Sequence, residues 1–176
     1  MPDLEAFKLE TYNLASRLGT LALAKDMHIT TAESCTGGLV AASCTQIAGS
    51  SGWFDSGFVT YTLGAKHKLL GVEQDLISHH GAVSEPVARE MALGALNKSD
   101  ANISVSVTGI AGPGGGNLTT PLGTVWFGWA MRSRSTHEPK IVQTSIFELP
   151  GDRDDVRQEA CIQALTGLIN TLINSS

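Results

Sequence analysis

Residues 28–47, HITTAESCTGGLVAASCTQI, constrain what this chain can fold into more than any other stretch. His28 to Ala32 is short and carries β-branched Ile and Thr, as a buried strand does. Gly37 and Gly38 then interrupt the pattern, and the small-residue run from Leu39 to Ile47 predicts a helix. A strand that turns tightly into a helix opens an α/β layer structure.

The rest of the chain repeats that alternation. Residues 4–25 read as an amphipathic helix with Leu4, Phe7, Leu14, Leu18 and Leu21 at helical spacing. Residues 57–62 read as a second strand and Ala65 to Leu70 as a short helix. Ser84 ahead of Glu85-Pro86 predicts an N-cap with proline in the first turn, and a helix to about Lys98. Residues 103–108 predict a third strand, followed over 109–121 by a loop with five glycines and two prolines. Thr124–Met131 and Ile141–Phe147 predict a hairpin. The last helix is expected near Asp152, with Asp154 and Asp155 at its positive end and Val156, Cys161, Leu165, Leu168 and Leu172 as its apolar stripe. The expected fold is a three-layer α/β/α sandwich with a mixed sheet, residues 1–176 forming a single domain.

The formal net charge of -5 argues against a nucleic-acid binder that works through bulk positive charge. Three cysteines without CxxC spacing argue against a disulfide framework or a zinc site and suit a reducing compartment. The charged start MPDLEAFKLE has no apolar signal region, and no apolar run reaches membrane-spanning length. A cytoplasmic chain with no membrane and no nucleic-acid partner is expected.

Chemistry concentrates in TAESCTGG, residues 31–38. Ser34 falls between a strand and a helix, where open α/β sheets bind ligands. Backbone N–H groups of Cys35, Thr36, Gly37 and Gly38 are candidates to hold an oxyanion or a phosphate. The alternative makes Ser34 or Thr36 a plain helix cap. Serine needs a base, and no histidine is obviously suited to it. His28 precedes a strand, His67 lies on a short helix, His79-His80 fall in a polar turn and His137 in the hairpin loop. No metal ligand set is spaced correctly. A desolvated lysine can serve, because burial lowers its pKa. Lys66 and Lys68 are candidates, with Tyr61 five residues before Lys66. The alternative leaves both lysines solvated and Tyr61 in the core.

The segment 108–116, TGIAGPGGG, reads as a backbone nest for an anion or as a surface loop. Trp53-Phe54, Trp126 and Trp129 suit either a stacked ring or the core. Arg153 and Arg157 are candidate phosphate partners at the last helix, or a solvated face.

Six segments in order are TAESCTGG, IAGSSGWFDSGFVTYT with AKHKLLGV, GAVSEPVAREMALGAL, VTGIAGPGGG, PLGTVWFGWA and GDRDDVRQEA. Together they resemble the CinA C-terminal domain family in its stand-alone form, from about residue 8 to residue 172. The resemblance implies an α/β/α nicotinamide-nucleotide amidase of bacterial pyridine-nucleotide (NAD) recycling. Such an enzyme converts nicotinamide mononucleotide to nicotinic acid mononucleotide and ammonia, without metal or cofactor. It implies a catalytic set of Ser34, Tyr61 and Lys66. On this reading Thr108, Gly109, Gly112 and Gly114 hold ribose and phosphate, with Arg153 or Arg157 assisting. The larger relatives carry an N-terminal molybdopterin-binding-like domain, for which this chain has no room. The stretch NLTTP after Gly116 is neutral where many relatives are charged. A non-catalytic nucleotide- or partner-binding module linked to competence is the rival reading, and a hydrolase of another amide is a second. A homo-oligomer, such as a dimer, is compatible with the sequence.

Overall fold

The computed structural model describes residues 4–133 and 136–175. Its elements alternate in the expected way: α1 (Leu4–Ala24), β1 (Ile29–Glu33), α2 (Leu39–Thr45), β2 (Phe54–Val59), α3 (Leu63–Leu70), α4 (Gln74–His80), α5 (Glu85–Asn97), β3 (Ile103–Gly109), β4 (Thr124–Arg132), β5 (Pro139–Glu148) and α6 (Arg153–Asn174). The sheet order is β2-β1-β3-β4-β5. β1 is parallel to both β2 and β3, while β4 is antiparallel to β3 and to β5. Helices α1, α2 and α6 pack together over one face, and α3, α4 and α5 over the other. The result is an α/β/α sandwich with a mixed sheet.

The alternation within ISVSVTG explains how β3 serves both layers. Ile103, Val105 and Val107 join the core beneath α6. Ser104, Ser106 and Thr108 face the other way, and their hydroxyls donate to the carbonyls of Ala92, Ala88 and Ala82 at 2.8, 2.6 and 2.8 Å. Buried hydroxyls are thereby satisfied. Close approach of α5 needs a glycine beneath it: a Cβ on Gly128 would stand 2.8 Å from the Ala88 carbonyl. On the opposite face, all five residues of the predicted α6 stripe are buried, Val156 and the three leucines each contributing about 1.5–3 kcal/mol over exposure.

The chain leaves β1 toward β2 on one side and reaches β3 on the other. The carboxyl ends of β1 and β3 therefore flank a switch in winding, where open α/β sheets form their binding crevice.

Several boundaries differ from expectation, for local reasons. β2 spans Phe54–Val59, not 57–62, because Thr62 accepts from the Ala65 amide and caps α3 two residues early. Tyr61 thus sits in a turn, not a strand. His79 and His80 end the helix α4, where a polar turn was expected. Ser84 precedes α5, but its hydroxyl donates to the Gly81 carbonyl and caps nothing. Leu4, at the free start of α1, is exposed although it continues the apolar stripe. At α6, Asp152 and Asp155 form a reciprocal capping box.

Candidate active site

Ser34 ends the rise of β1 and enters a turn shaped by two positive-φ glycines, Gly37 at 62° and Gly38 at 100°. The Gly37 amide donates to the Ser34 carbonyl at 3.0 Å and closes the turn. The Ser34 side chain faces α3, from which Lys66 projects inward. Lys66 Nζ lies 2.8 Å from Ser34 Oγ and 2.6 Å from the Thr60 carbonyl oxygen. Lys66 is only 1% exposed. Burial lowers its pKa to about 8. A neutral amine donates to the Thr60 carbonyl and turns its lone pair to the serine hydroxyl, the geometry for removing that proton. Lys68, on the same helix, is exposed.

The cleft around this pair has a volume of about 280 Å³. Leu63, Val83 and Ile110 give it apolar walls, and Gly112, Gly114 and Gly115 form its far side. Its lining carries two cationic side chains, Lys66 and Arg153, and no carboxylate. A larger depression of about 760 Å³ lies between α1 and α6; the serine–lysine pair is not in it, and chemistry outranks size here.

The expected binding residues divide. Cys35, Thr108, Gly109, Gly112, Gly114 and Arg153 line the cleft beside Ser34, Tyr61 and Lys66. Thr108 and Gly109 also hold the fold. The Thr108 hydroxyl is spent on Ala82, and a Cβ on Gly109 would meet the Thr124 carbonyl at 2.8 Å. Arg153 donates to the Gly112 carbonyl at 2.6 Å and to the Tyr61 hydroxyl at 2.7 Å. Tyr61 is 55% exposed and bonded to Arg153, so its hydroxyl belongs to the mouth of the cleft and not to the Lys66 amine. Thr36, Gly37, Gly38 and Arg157 are not among the lining residues. Arg157 sits behind the turn, donating to the carbonyls of Cys35 and Thr36 at 3.2 and 3.3 Å.

The aromatic candidates resolve to packing. Trp53 is buried against Gly19, and Trp129 stacks on Phe127 and donates to the Ala164 carbonyl. None of Trp53, Phe54, Trp126 or Trp129 lines the cleft.

Glu33, within the TAESCTGG motif, has a role that sequence reasoning missed. It is fully buried, and its carboxylate accepts from the amides of Gly38, Val40 and Ala41 at 3.0, 3.1 and 2.9 Å. Of the amides expected to serve a ligand, that of Gly38 is therefore already taken, together with two amides in the first turn of α2. An acidic residue just ahead of a glycine-started helix was the available signal. The Thr60 carbonyl left no signal, because any residue has one. Glu33→Ala strands three amide donors, that of Val40 fully buried, and should cost about 3 kcal/mol of unfolding free energy. Urea denaturation measures this, and an unshifted midpoint would refute the anchoring role.

Cys35 lines the cleft, but burial pushes its thiol up to about 11, so it stays neutral. Among the described residues no group of three or more His, Cys, Asp or Glu is arranged to hold a metal ion, and no helix is long and apolar enough to cross a membrane.

Fold and cleft together define an α/β sandwich with a serine–lysine pair at the carboxyl end of its parallel strands, an arrangement that can deprotonate a serine for attack on an acyl carbon. The chain belongs to the CinA C-terminal domain family, whose model matches residues 11–172. It is 46% identical over 164 residues to the nicotinamide-nucleotide amidohydrolase PncC of Enterobacter agglomerans, covering 93% of this chain and 96% of that one. It is 48% identical over 149 residues to a CinA-like protein of Chlorobaculum tepidum, covering 85% of this chain but 35% of that longer one. The crystal structure of competence damage-inducible protein A from Klebsiella pneumoniae superposes with a TM-score of 0.86 at 36% identity, covering 94% of this chain and 99% of that one.

Proposed function

We propose that this chain is a nicotinamide-nucleotide amidohydrolase acting on nicotinamide mononucleotide, with Ser34 as nucleophile and Lys66 as base. The observation that carries the proposal is the 2.8 Å contact between the Ser34 hydroxyl and a buried lysine amine. The activity named for the amidohydrolase relative supports the substrate. So does a cleft that carries the Arg153 guanidinium and no carboxylate, which favours an anionic molecule.

Neutral Lys66 takes the Ser34 proton as Oγ attacks the carboxamide carbon. The adjacent cationic pyridinium ring makes that carbon more electrophilic. Charge on the carboxamide oxygen is met by the amide of Cys35, which lines the cleft beside the nucleophile and has no oxygen acceptor among the described hydrogen bonds. The Lys66 ammonium returns its proton to the departing nitrogen, and ammonia leaves. Water then attacks the acyl-serine, Lys66 again taking the proton, and the carboxylate product is released. Arg153 and the amides of Gly114 and Gly115 receive the phosphate. Tyr61 holds Arg153 in place at the mouth of the cleft.

Ammonia release from nicotinamide mononucleotide, nicotinamide, its riboside and NAD tests this reading. Turnover should be highest with the mononucleotide and at least about tenfold lower in kcat/KM without the phosphate, because a charge-assisted contact is lost. Equal rates for riboside and mononucleotide would remove the phosphate role. Binding of the mononucleotide without ammonia release would favour a non-catalytic module.

A further inference from the structure

We infer that Tyr61, Arg153 and the Gly112 carbonyl form a strap that limits substrate length, admitting a nicotinamide nucleotide that ends in a free phosphate and excluding a dinucleotide. The inference rests on the amidohydrolase reading above and deepens it by assigning residues that set specificity.

The strands place the strap. β1 is parallel to its neighbours β2 and β3, so the carboxyl ends of all three share one edge of the sheet, with β1 in the middle. Ser34 follows β1, Tyr61 follows β2 and Gly112 follows β3. Strands two apart in a sheet are separated by roughly 9.5 Å. The Arg153 guanidinium closes that gap, donating to the Gly112 carbonyl at 2.6 Å and to the Tyr61 hydroxyl at 2.7 Å. The strap therefore crosses the line of the strand that delivers the nucleophile. It crosses on the solvent side, because Arg153 and Tyr61 are exposed whereas Ser34 and Lys66 are buried. Strap and serine–lysine pair line the same cleft.

A length limit follows from that placement. The carboxamide must reach Ser34 on the floor, so the rest of the substrate extends toward the strap. The cleft volume of about 280 Å³ lies at the small end of ligand pockets, which span roughly 300–1,000 Å³. Both acceptors on Arg153 are neutral oxygens, so the strap sets no negative charge against a phosphate. A guanidinium also has more N–H donors than the two engaged here, so Arg153 can keep its anchors and still meet a phosphate. A terminal phosphate ends the molecule at that point. In a dinucleotide the same phosphate continues into a second nucleotide, which has to occupy the space that Tyr61 and Arg153 close. A clash built against the wrong ligand gives specificity as surely as a contact made to the right one.

The test measures ammonia release from nicotinamide mononucleotide and its competitive inhibition by NAD, for the parent, Tyr61→Ala and Tyr61→Phe. For the parent, the Ki of NAD should exceed the KM of the mononucleotide by at least about tenfold. Tyr61→Ala removes the ring and one anchor of Arg153. Its Ki for NAD should fall at least about tenfold as the mouth opens. Its KM for the mononucleotide should rise about threefold, because a guanidinium held less firmly loses more freedom on binding the phosphate. The two constants thus move in opposite directions, which general damage to the cleft does not produce. Tyr61→Phe keeps the ring and loses the hydroxyl, so both constants should move the same ways by less; it carries the comparison if Tyr61→Ala does not fold. The pH midpoint should stay at the parent's value, since Lys66 keeps its partners Ser34 and Thr60. A Ki for NAD that is unchanged, or that rises together with KM, would overturn the inference and leave Tyr61 a plain wall of the cleft. A displaced pH midpoint with kcat lost would also overturn it, placing Tyr61 in proton transfer. So would a parent that binds NAD as tightly as the mononucleotide. A parent inactive on the mononucleotide would instead overturn the function proposed for the site.

Discussion

Ser34→Ala is expected to lose at least about three orders of magnitude in kcat while keeping its fold, since groups that act as a unit fail together. In the proposed mechanism the hydroxyl forms the bond to substrate, and no other hydroxyl lining the cleft has an amine partner: Thr108 is committed to the Ala82 carbonyl and Tyr61 to Arg153. Deleting a hydroxyl that caps no helix and whose recorded side-chain partner is Lys66 leaves the apolar core as it was. Lys66 keeps its Thr60 partner in the variant. Near-parental turnover by Ser34→Ala would end the serine mechanism. Mass spectrometry of the parent quenched during turnover should find a nicotinoyl adduct on Ser34.

Changing Lys66 should be as damaging and should also alter stability in the opposite direction. Its pKa is held near 8 by burial, against an ordinary 10.5. The kcat/KM profile of the parent should therefore rise with pH through a midpoint near 8, as the amine loses its proton. Lys66→Arg and Lys66→Met should both fall by at least about three orders of magnitude, because one stays protonated and the other has no base. Lys68→Ala should match the parent, since Lys68 is exposed. For stability, the folded protein binds fewer protons at this site than the unfolded chain between pH 8 and 10.5, so stability rises with pH across that window. Below it, both states carry the proton and the full penalty of burying the ammonium remains. Lys66→Met removes the penalty, so its melting temperature should exceed the parent's most at pH 7, with the gap narrowing above pH 8. An active Lys66→Arg enzyme, or a parental profile centred near pH 10, would exclude Lys66 as the base.

Periodic features of the sequence translated well into structure. The α6 stripe, the strand–turn–helix around Ser34 and the terminal hairpin depend on local pattern, and each formed where that pattern pointed. Features that depend on a partner distant in sequence were harder to read. Arg153 and Arg157 form a pair in the sequence, yet one helical turn sends the first to Gly112 and Tyr61 and the second to Cys35 and Thr36. The glycines after Ser34 suggested open amides, but the Gly38 amide answers to Glu33 and the Gly37 amide to the Ser34 carbonyl. Tyr61 looked like a strand residue because residues 57–62 are rich in β-branched and aromatic side chains, and the competing signal was a single threonine cap.

The two arginines also say something about when the site comes into being. Both lie in the first turns of α6, which follows every strand in the chain, and the capping box fixes where that helix begins. Ser34, Lys66 and the glycine loop are synthesised well before it. Until α6 docks, the nucleophile's turn lacks its brace and the mouth of the cleft lacks the cation that joins Gly112 to Tyr61. Assembly of the proposed catalytic centre is thereby tied to docking of the last helix in the fold. A chain caught partway through synthesis or folding holds its serine and lysine without the frame that aims them.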